Sequence, residues 1–208
     1  MTAQAGDTLI PDAAARKAAL RQQMRRLRSA IPSSARNVAA RASARRFLRY
    51  YPQPCNIAVY LSARSELPTQ PLLRLLFAAG HRVYVPLTLS AGRMRFVRIH
   101  AHSKTRPGLF RLPQPIAPRR VIAVDRLDRV VVPLLAFDSR GARLGNGGGY
   151  YDRAFAGQRR GHRAKLIGYG YAVQEVLDVA AEPWDLRLDV VITDRAHRIP
   201  RLPARLDE

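Results

Sequence analysis

The chain has 208 residues, 47% of them hydrophobic, and a formal charge of +21 from 36 basic and 15 acidic side chains. That length and apolar content suffice for one domain with a real core, expected over residues 1–208 with short flexible ends. A lone Cys55 excludes an internal disulfide framework and a cysteine-rich zinc site. No stretch approaches the roughly 20 apolar residues of a membrane span. Residues 1–11 lack the basic-then-apolar pattern of a secretory signal, so a soluble cytoplasmic protein with no membrane partner is expected.

The charge suggests a polyanion partner until its distribution is considered. Lysine occurs only at Lys17, Lys104 and Lys165, and arginine supplies the rest amid abundant Ala, Gly and Pro. That usage resembles a chain from a GC-rich genome. The arginines are spread along the sequence without a basic tail or an aromatic-interleaved RNA-binding signature, so no specific nucleic-acid partner is expected.

From the N-terminus, Asp12 is placed to cap a helix running to about Ser29, with Pro32 as its stop. Leu20, Met24, Leu27 and Ile31 recur at helical spacing and predict its buried stripe. Lys17, Arg21, Arg25 and Arg28 follow the same rhythm on the neighbouring face, a cation ladder beside the core. A second helix spans about Ser34 to Tyr50. Asn56 to Leu61 reads as a buried strand, Thr69 to Ala79 as a helix closed by Gly80, and His81 to Val85 as another strand. Met94 to Ile99 alternates as a half-exposed strand, beyond which His100 and His102 would share a face without a third metal ligand. Lys104 to Arg120 carries four prolines and predicts an irregular surface loop. Arg129 to Leu135 is a near-continuous apolar run suited to a central parallel strand. Ala164 to Tyr169 and Val190 to Thr193 are two more strands. The alternation predicts an α/β layered domain with a largely parallel sheet, whose ligands gather beyond the carboxyl ends of the strands.

Arg143-Leu144-Gly145-Asn146-Gly147-Gly148-Gly149-Tyr150-Tyr151-Asp152-Arg153 follows the central strand. Four glycines in five positions allow positive φ angles and close backbone approach to a ligand. Consecutive N–H groups can then form an anion-binding concavity, helped by a helix starting at Tyr150. The loop is not a Walker A motif, since Tyr150 replaces its Lys, nor the dinucleotide fingerprint, which needs a small residue where Tyr150 stands. No Gly-x-Ser-x-Gly elbow occurs. A plain strand-to-helix turn and a nucleotide loop of another kind are both compatible with the glycines alone.

Five segments in order carry a resemblance: Lys17-Ala-Ala-Leu20-Arg21, Tyr60-Leu61-Ser62-Ala63-Arg64-Ser65-Glu66-Leu67-Pro68-Thr69, Val132-Pro133-Leu134-Leu135-Ala136-Phe137-Asp138, Arg143 to Arg153, and Leu188-Asp189-Val190-Val191-Ile192-Thr193. Over about residues 15 to 194 the chain resembles the 5-formyltetrahydrofolate cyclo-ligase family. The resemblance implies a three-layer α/β sandwich of the type shared with sugar-phosphate isomerases and CoA transferases. It further implies ATP- and magnesium-dependent closure of the N5-formyl group onto N10 of reduced folate, by a monomer acting on small molecules. By position, Lys17, Arg21 and Arg143 match the phosphate-binding cations, and Leu144, Gly145, Asn146, Gly147, Gly148, Gly149, Tyr150 and Tyr151 match the ATP loop. Leu61, Glu66 and Phe110 match folate contacts, with Asn146 to Tyr150 bordering both reactants and Glu66 orienting N10. Asp152 and Asp189 match the magnesium positions. The chain departs from several relatives at Asn146 and Gly148, where they carry a basic residue. Trp184 reads as a packing residue, and Asp128 and Asp138 as turn closers. Another enzyme of the same fold, such as a sugar-phosphate isomerase, and a basic nucleic-acid-binding protein are the alternatives.

Overall fold

The computed structural model describes residues 12–109, 112–116, 120–156 and 164–200. The elements run α1 (Ala13–Ala30), α2 (Ser33–Tyr50), β1 (Asn56–Val59), α3 (Gln70–Ala78), β2 (Arg82–Thr88), β3 (Met94–Arg98), β4 (Thr105–Pro107), β5 (Pro113–Pro115), β6 (Val121–Ile122), β7 (Arg129–Pro133), β8 (Ala136–Phe137), β9 (Arg143–Leu144), α4 (Tyr150–Phe155), β10 (Lys165–Gly170), β11 (Val190–Thr193) and β12 (His197–Arg198). Eight strands form one sheet in the order β12-β11-β10-β7-β1-β2-β3-β6. The inner five pair in parallel, and β3, β6 and β12 join antiparallel at the edges.

Because side chains alternate along a strand, each face of this sheet needs its own cover. Ile57, Val59, Val83, Val85, Val131, Ile167, Tyr169 and Ile192 point to one face, under Ala40, Ala44 and Phe47 of α2 and Leu72 and Leu76 of α3. Ala58, Tyr84, Phe96, Val130, Val132, Leu166 and Val191 point to the other, covered by Phe155 of α4 and by Leu134, Phe137 and Leu188 from extended segments. A third apolar cluster joins Met24 and Leu20 of α1 to Leu135, Ala136, Ala142, Leu144 and Val179.

The strand and helix expectations hold, with β11 matching its predicted limits and β2 running on to Thr88 because it pairs with β3 as far as Met94. Four local expectations change. Asp12 precedes α1 but makes no side-chain cap bond. The proline-rich stretch contains a short hairpin, β4 with β5, and His100 and His102 stand exposed past the end of β3, outside any strand. The buried stripe of α1 is the largest correction. Lys17, Met24 and Arg28 are buried, Leu20 and Arg21 are half-buried, and Leu27 is 39% exposed. The inner face of the helix is shared: Met24 and Leu20 meet the third apolar cluster, while Lys17, Arg21 and Arg28 turn inward to carboxylates and loop carbonyls.

Phe47 has no exposed surface and packs on Tyr51 at 5.2 Å between ring centroids. Phe47→Ala should therefore cost about 3–5 kcal/mol in urea unfolding, against less than about 0.5 kcal/mol for Val38→Ala on the open face of the same helix.

Candidate active site

The central strand β7 leaves the sheet at Pro133, and the carbonyls it frees are caught at once. Leu134 O accepts from Arg28 Nη1 at 3.2 Å and Gln174 Nε2 at 2.8 Å, and Leu135 O accepts from the same Gln174 nitrogen at 2.9 Å. The chain then turns through the β8–β9 hairpin, in which Ala136 pairs with Leu144 and Phe137 with Arg143. Asp138 closes that turn as expected, its Oδ1 accepting from the Arg140 and Ala142 N–H groups. Asp128, expected to close a turn, instead accepts from the Asn56 N–H at 2.8 Å and ties the start of β1 to the residue before β7.

The hairpin delivers the glycine loop beyond the carboxyl end of β7. Gly147 and Gly149 have φ of +99° and +63°, conformations that L side chains rarely adopt. Arginines take the loop's carbonyls: Arg21 Nε donates to Gly145 O at 3.1 Å, and Arg153 Nη2 to Gly148 O at 2.5 Å. The same Arg153 guanidinium lies over the Tyr150 ring. Arg143, 7% exposed, packs so close to Gly145 that a Cβ there would stand 2.8 Å from its Nη1. The Asn146 to Gly149 N–H groups donate to nothing among the described residues. A loop with its carbonyls bound to arginine and its amides open presents a surface for an anion. The Leu144 side chain is core, 2% exposed, so only its backbone can serve a ligand.

Lys17 is 7% exposed and bonded to Glu182 Oε2 at 2.5 Å and Asp185 Oδ2 at 2.7 Å. Burial alone would lower its pKa, but the two carboxylates outweigh burial and raise it. Glu182 and Asp185 have no sequence signal linking them to Lys17; the tertiary fold brings them together. Trp184 between them is 68% exposed, so it is not the packing residue expected. A phosphate reaching Lys17 must share its ammonium with these carboxylates.

Glu66 lies on the opposite wall, in the turn after β1. Its Oε2 accepts from Ala63 N–H at 2.9 Å, and its backbone carbonyl accepts from Tyr171 Oη at 3.4 Å. Burial pushes the Glu66 carboxyl up, against the Ala63 N–H, the Arg28 charge, a hydrogen bond with the Asn146 side chain and the Arg64 charge, all of which pull it down. Tyr151, stacked on Phe155, has its hydroxyl pushed up by burial and by the Glu66 charge. Leu61 is half-buried against the core at the end of β1. Phe110 lies outside the described residues.

The two magnesium candidates are held differently. Asp152 Oδ1 accepts from Arg143 Nη2 at 2.8 Å and Leu186 N–H at 3.1 Å. Asp189 lies just before β11, at the amino end of the parallel strands, and its Oδ2 accepts from Leu166 N–H at 2.8 Å. The segment from Leu186 to Asp189 links them. No group of three or more His, Cys, Asp or Glu side chains suited to a metal occurs among the described residues. A magnesium ion completed by phosphate oxygens and water needs only one or two carboxylates, so Asp152 beside the loop fits that role.

An α/β protein with a mainly parallel sheet and an anion-ready glycine loop past its central strand is thereby defined. The pattern of the 5-formyltetrahydrofolate cyclo-ligase family matches residues 13–194, and the chain belongs to that family of enzymes. It is 35% identical over 175 residues to the 5-formyltetrahydrofolate cyclo-ligase of Escherichia coli strain K12, covering 82% of this chain and 96% of the relative. Its fold is similar to the 5,10-methenyltetrahydrofolate synthetase of Aquifex aeolicus, with TM-score 0.77 and 23% identity over 92% of this chain and 96% of the other. The synthetase of Mycoplasma pneumoniae superposes with TM-score 0.70 and 24% identity, over 86% and 98%. The expected mixed α/β architecture with a mostly parallel sheet is the one found. No helix among the described residues is long and apolar enough to cross a membrane.

The carboxyl of Asp185 feels burial pushing it up, yet the Glu182 N–H bond and Lys17 hold it below the usual range. A depressed folded-state pKa contributes stability above the unfolded value of about 3.9 and loses it as pH falls through the folded value. Asp185→Asn should therefore flatten the fall in melting temperature below about pH 4. Thermal melts of both proteins across the acid range measure this.

Proposed function

We propose that this enzyme uses ATP to close the formyl group of 5-formyltetrahydrofolate onto N10, giving 5,10-methenyltetrahydrofolate, ADP and phosphate. The observation that supports the reading is the glycine loop beyond the carboxyl end of β7, its carbonyls taken by Arg21 and Arg153 and its Asn146 to Gly149 amides open among the described residues. A formamide oxygen is a poor leaving group, so N10 cannot expel it unaided. Transfer of the γ-phosphoryl to that oxygen turns it into a phosphate ester. N10 then attacks the formyl carbon, the C–O bond breaks with release of phosphate, and N10 loses its proton.

Such transfer rests mainly on positioning and charge neutralisation. The open amides of Asn146 to Gly149 cradle the phosphates. Arg21, already on Gly145 O, and Arg143 beneath the loop supply fixed positive charge, and Lys17 joins them by exchanging a carboxylate for a phosphate oxygen. Tyr150, with its ring against Arg153, borders the nucleotide, and Tyr151 backs the loop. Glu66 accepts a hydrogen bond from the N10 amine and aims its lone pair at the formyl carbon, with Leu61 supplying apolar contact. Asp152 would hold magnesium, with Asp189 as the second acidic position. Bound there, the ion would neutralise phosphate charge. Cytoplasmic location and a monomeric state complete the proposal.

The test is the absorbance of methenyltetrahydrofolate forming from 5-formyltetrahydrofolate, with and without ATP; turnover that ignores ATP would defeat the reading. Gly147→Val, which forces a β-branched residue to φ +99°, should abolish ATP binding in calorimetry while the circular dichroism spectrum stays native. Arg21→Ala removes a charge-assisted contact worth about 1.5–3 kcal/mol and should lower kcat/KM roughly 10- to 100-fold. Asp152→Asn should raise the magnesium concentration needed for half-maximal activity, measured by titration.

A further inference from the structure

Thr69 stands at the N-terminus of α3, where a threonine hydroxyl ordinarily accepts from an N–H of its own helix. It makes no such bond. Its Oγ1 instead accepts from Ser62 N–H at 3.1 Å, and Thr69 N–H donates to Ser62 Oγ at 3.1 Å. The two residues thus clasp the ends of the turn that carries Glu66. Thr69 has no exposed surface and Ser62 is half-buried. Inside the clasp Glu66 is folded back on its own turn. Its N–H donates to Ala63 O at 3.1 Å, and its Oε2 accepts from Ala63 N–H at 2.9 Å. Arg64, between them, is held at φ +54°, a conformation that a non-glycine residue keeps only where its surroundings impose it.

We propose that Thr69 is a positioning residue for the reaction: its hydroxyl, withheld from helix capping and given to Ser62, fixes the turn from which Glu66 receives N10. This rests on the folate role of Glu66. The residues from Tyr60 to Thr69 lie in no strand or helix, so no ladder of backbone bonds sets where the carboxylate stands. Three other bonds reach the turn, Ser62 Oγ to Gln70 Oε1, Tyr60 Oη to Leu67 O and Tyr171 Oη to Glu66 O, each at 3.4 Å. They are longer than the clasp and correspondingly weaker. Leu72 and Leu76, without exposed surface, seat α3 on the sheet, so Thr69 ties the turn to a rigid element. Such support matters because a misplacement of about 1 Å can cost a reaction about 100-fold.

Thr69→Val keeps the shape of the side chain and removes the acceptor of the Ser62 N–H. Turnover of 5-formyltetrahydrofolate, after subtraction of the enzyme-free rate, should fall about 10- to 100-fold. The ATP dissociation constant in calorimetry should stay within about twofold of wild type. Thr69→Ser, which keeps the hydroxyl, should turn over within about threefold of wild type. In a Glu66→Gln background, adding Thr69→Val should lower turnover by less than about threefold, because a residue that acts through Glu66 has nothing left to position. A full additional loss in that background, an equal loss in Thr69→Ser, or ATP affinity that falls in step with turnover overturns the positioning role. So does wild-type turnover in Thr69→Val. If Glu66→Gln alone turns over like wild type, the folate role of Glu66 falls and this proposal falls with it. Should Thr69→Val fail to fold, Ser62→Ala opens the clasp from its other side, with Ser62→Thr as its conservative counterpart in the same comparisons.

Discussion

The exit of β7 from the sheet is the constraint on which the rest of the molecule depends. A strand buried on both faces must end somewhere, and the carbonyls that follow it need donors in a place water does not reach. Gln174 and Arg28 supply them, on Leu134 and Leu135. The two donors come from parts of the chain far apart in sequence, so α1 and the segment after β10 are pinned to the same point. From that point the hairpin β8–β9 departs at a fixed angle and carries the glycine loop outward. Loop position is thus set by backbone hydrogen bonding deep in the protein.

Around this anchor a few cations turn inward or pair with carboxylates, while most of the described arginines stay exposed. Lys17 meets Glu182 and Asp185, Arg143 meets Asp152, and Arg140 meets Asp138 and Asp178. The carboxylates are few, and several of them are engaged close to the loop. Arg21 and Arg153 bind loop carbonyls instead, which needs no counter-ion. A chain with this imbalance therefore keeps positive charge uncompensated beside open amides. That is the electrostatic condition for receiving a polyphosphate. Neutralisation is distributed over the helix and the loop's flanks.

The glycine loop announced itself in the sequence because positive φ and close packing both require glycine, and neither can be disguised in composition. Periodicity likewise showed the parallel strands, since a strand buried on both faces must be apolar throughout. Helix α1 was harder to read. Its apolar residues have helical spacing, and the natural inference puts them inside, yet Leu27 faces out while Lys17 and Arg28 face in. Spacing gives the period of a face but not what that face will meet. Here it met carbonyls and carboxylates beside an apolar patch, so cations and apolar residues share it.

The sequence alone therefore determined the strands, the helices that cover one face, the loop that can hold an anion and the family to which these belong, because each follows from local backbone preference or from short motifs. Tertiary structure alone decided the partners of the charges. That Lys17 meets Glu182 and Asp185, that Arg21 takes Gly145 O, and that Arg28 takes Leu134 O are contacts between residues more than a hundred positions apart. A side chain's charge is written in the sequence. Its effective strength depends on burial and on which opposite charge stands near, and those exist only once the sheet has brought distant segments together.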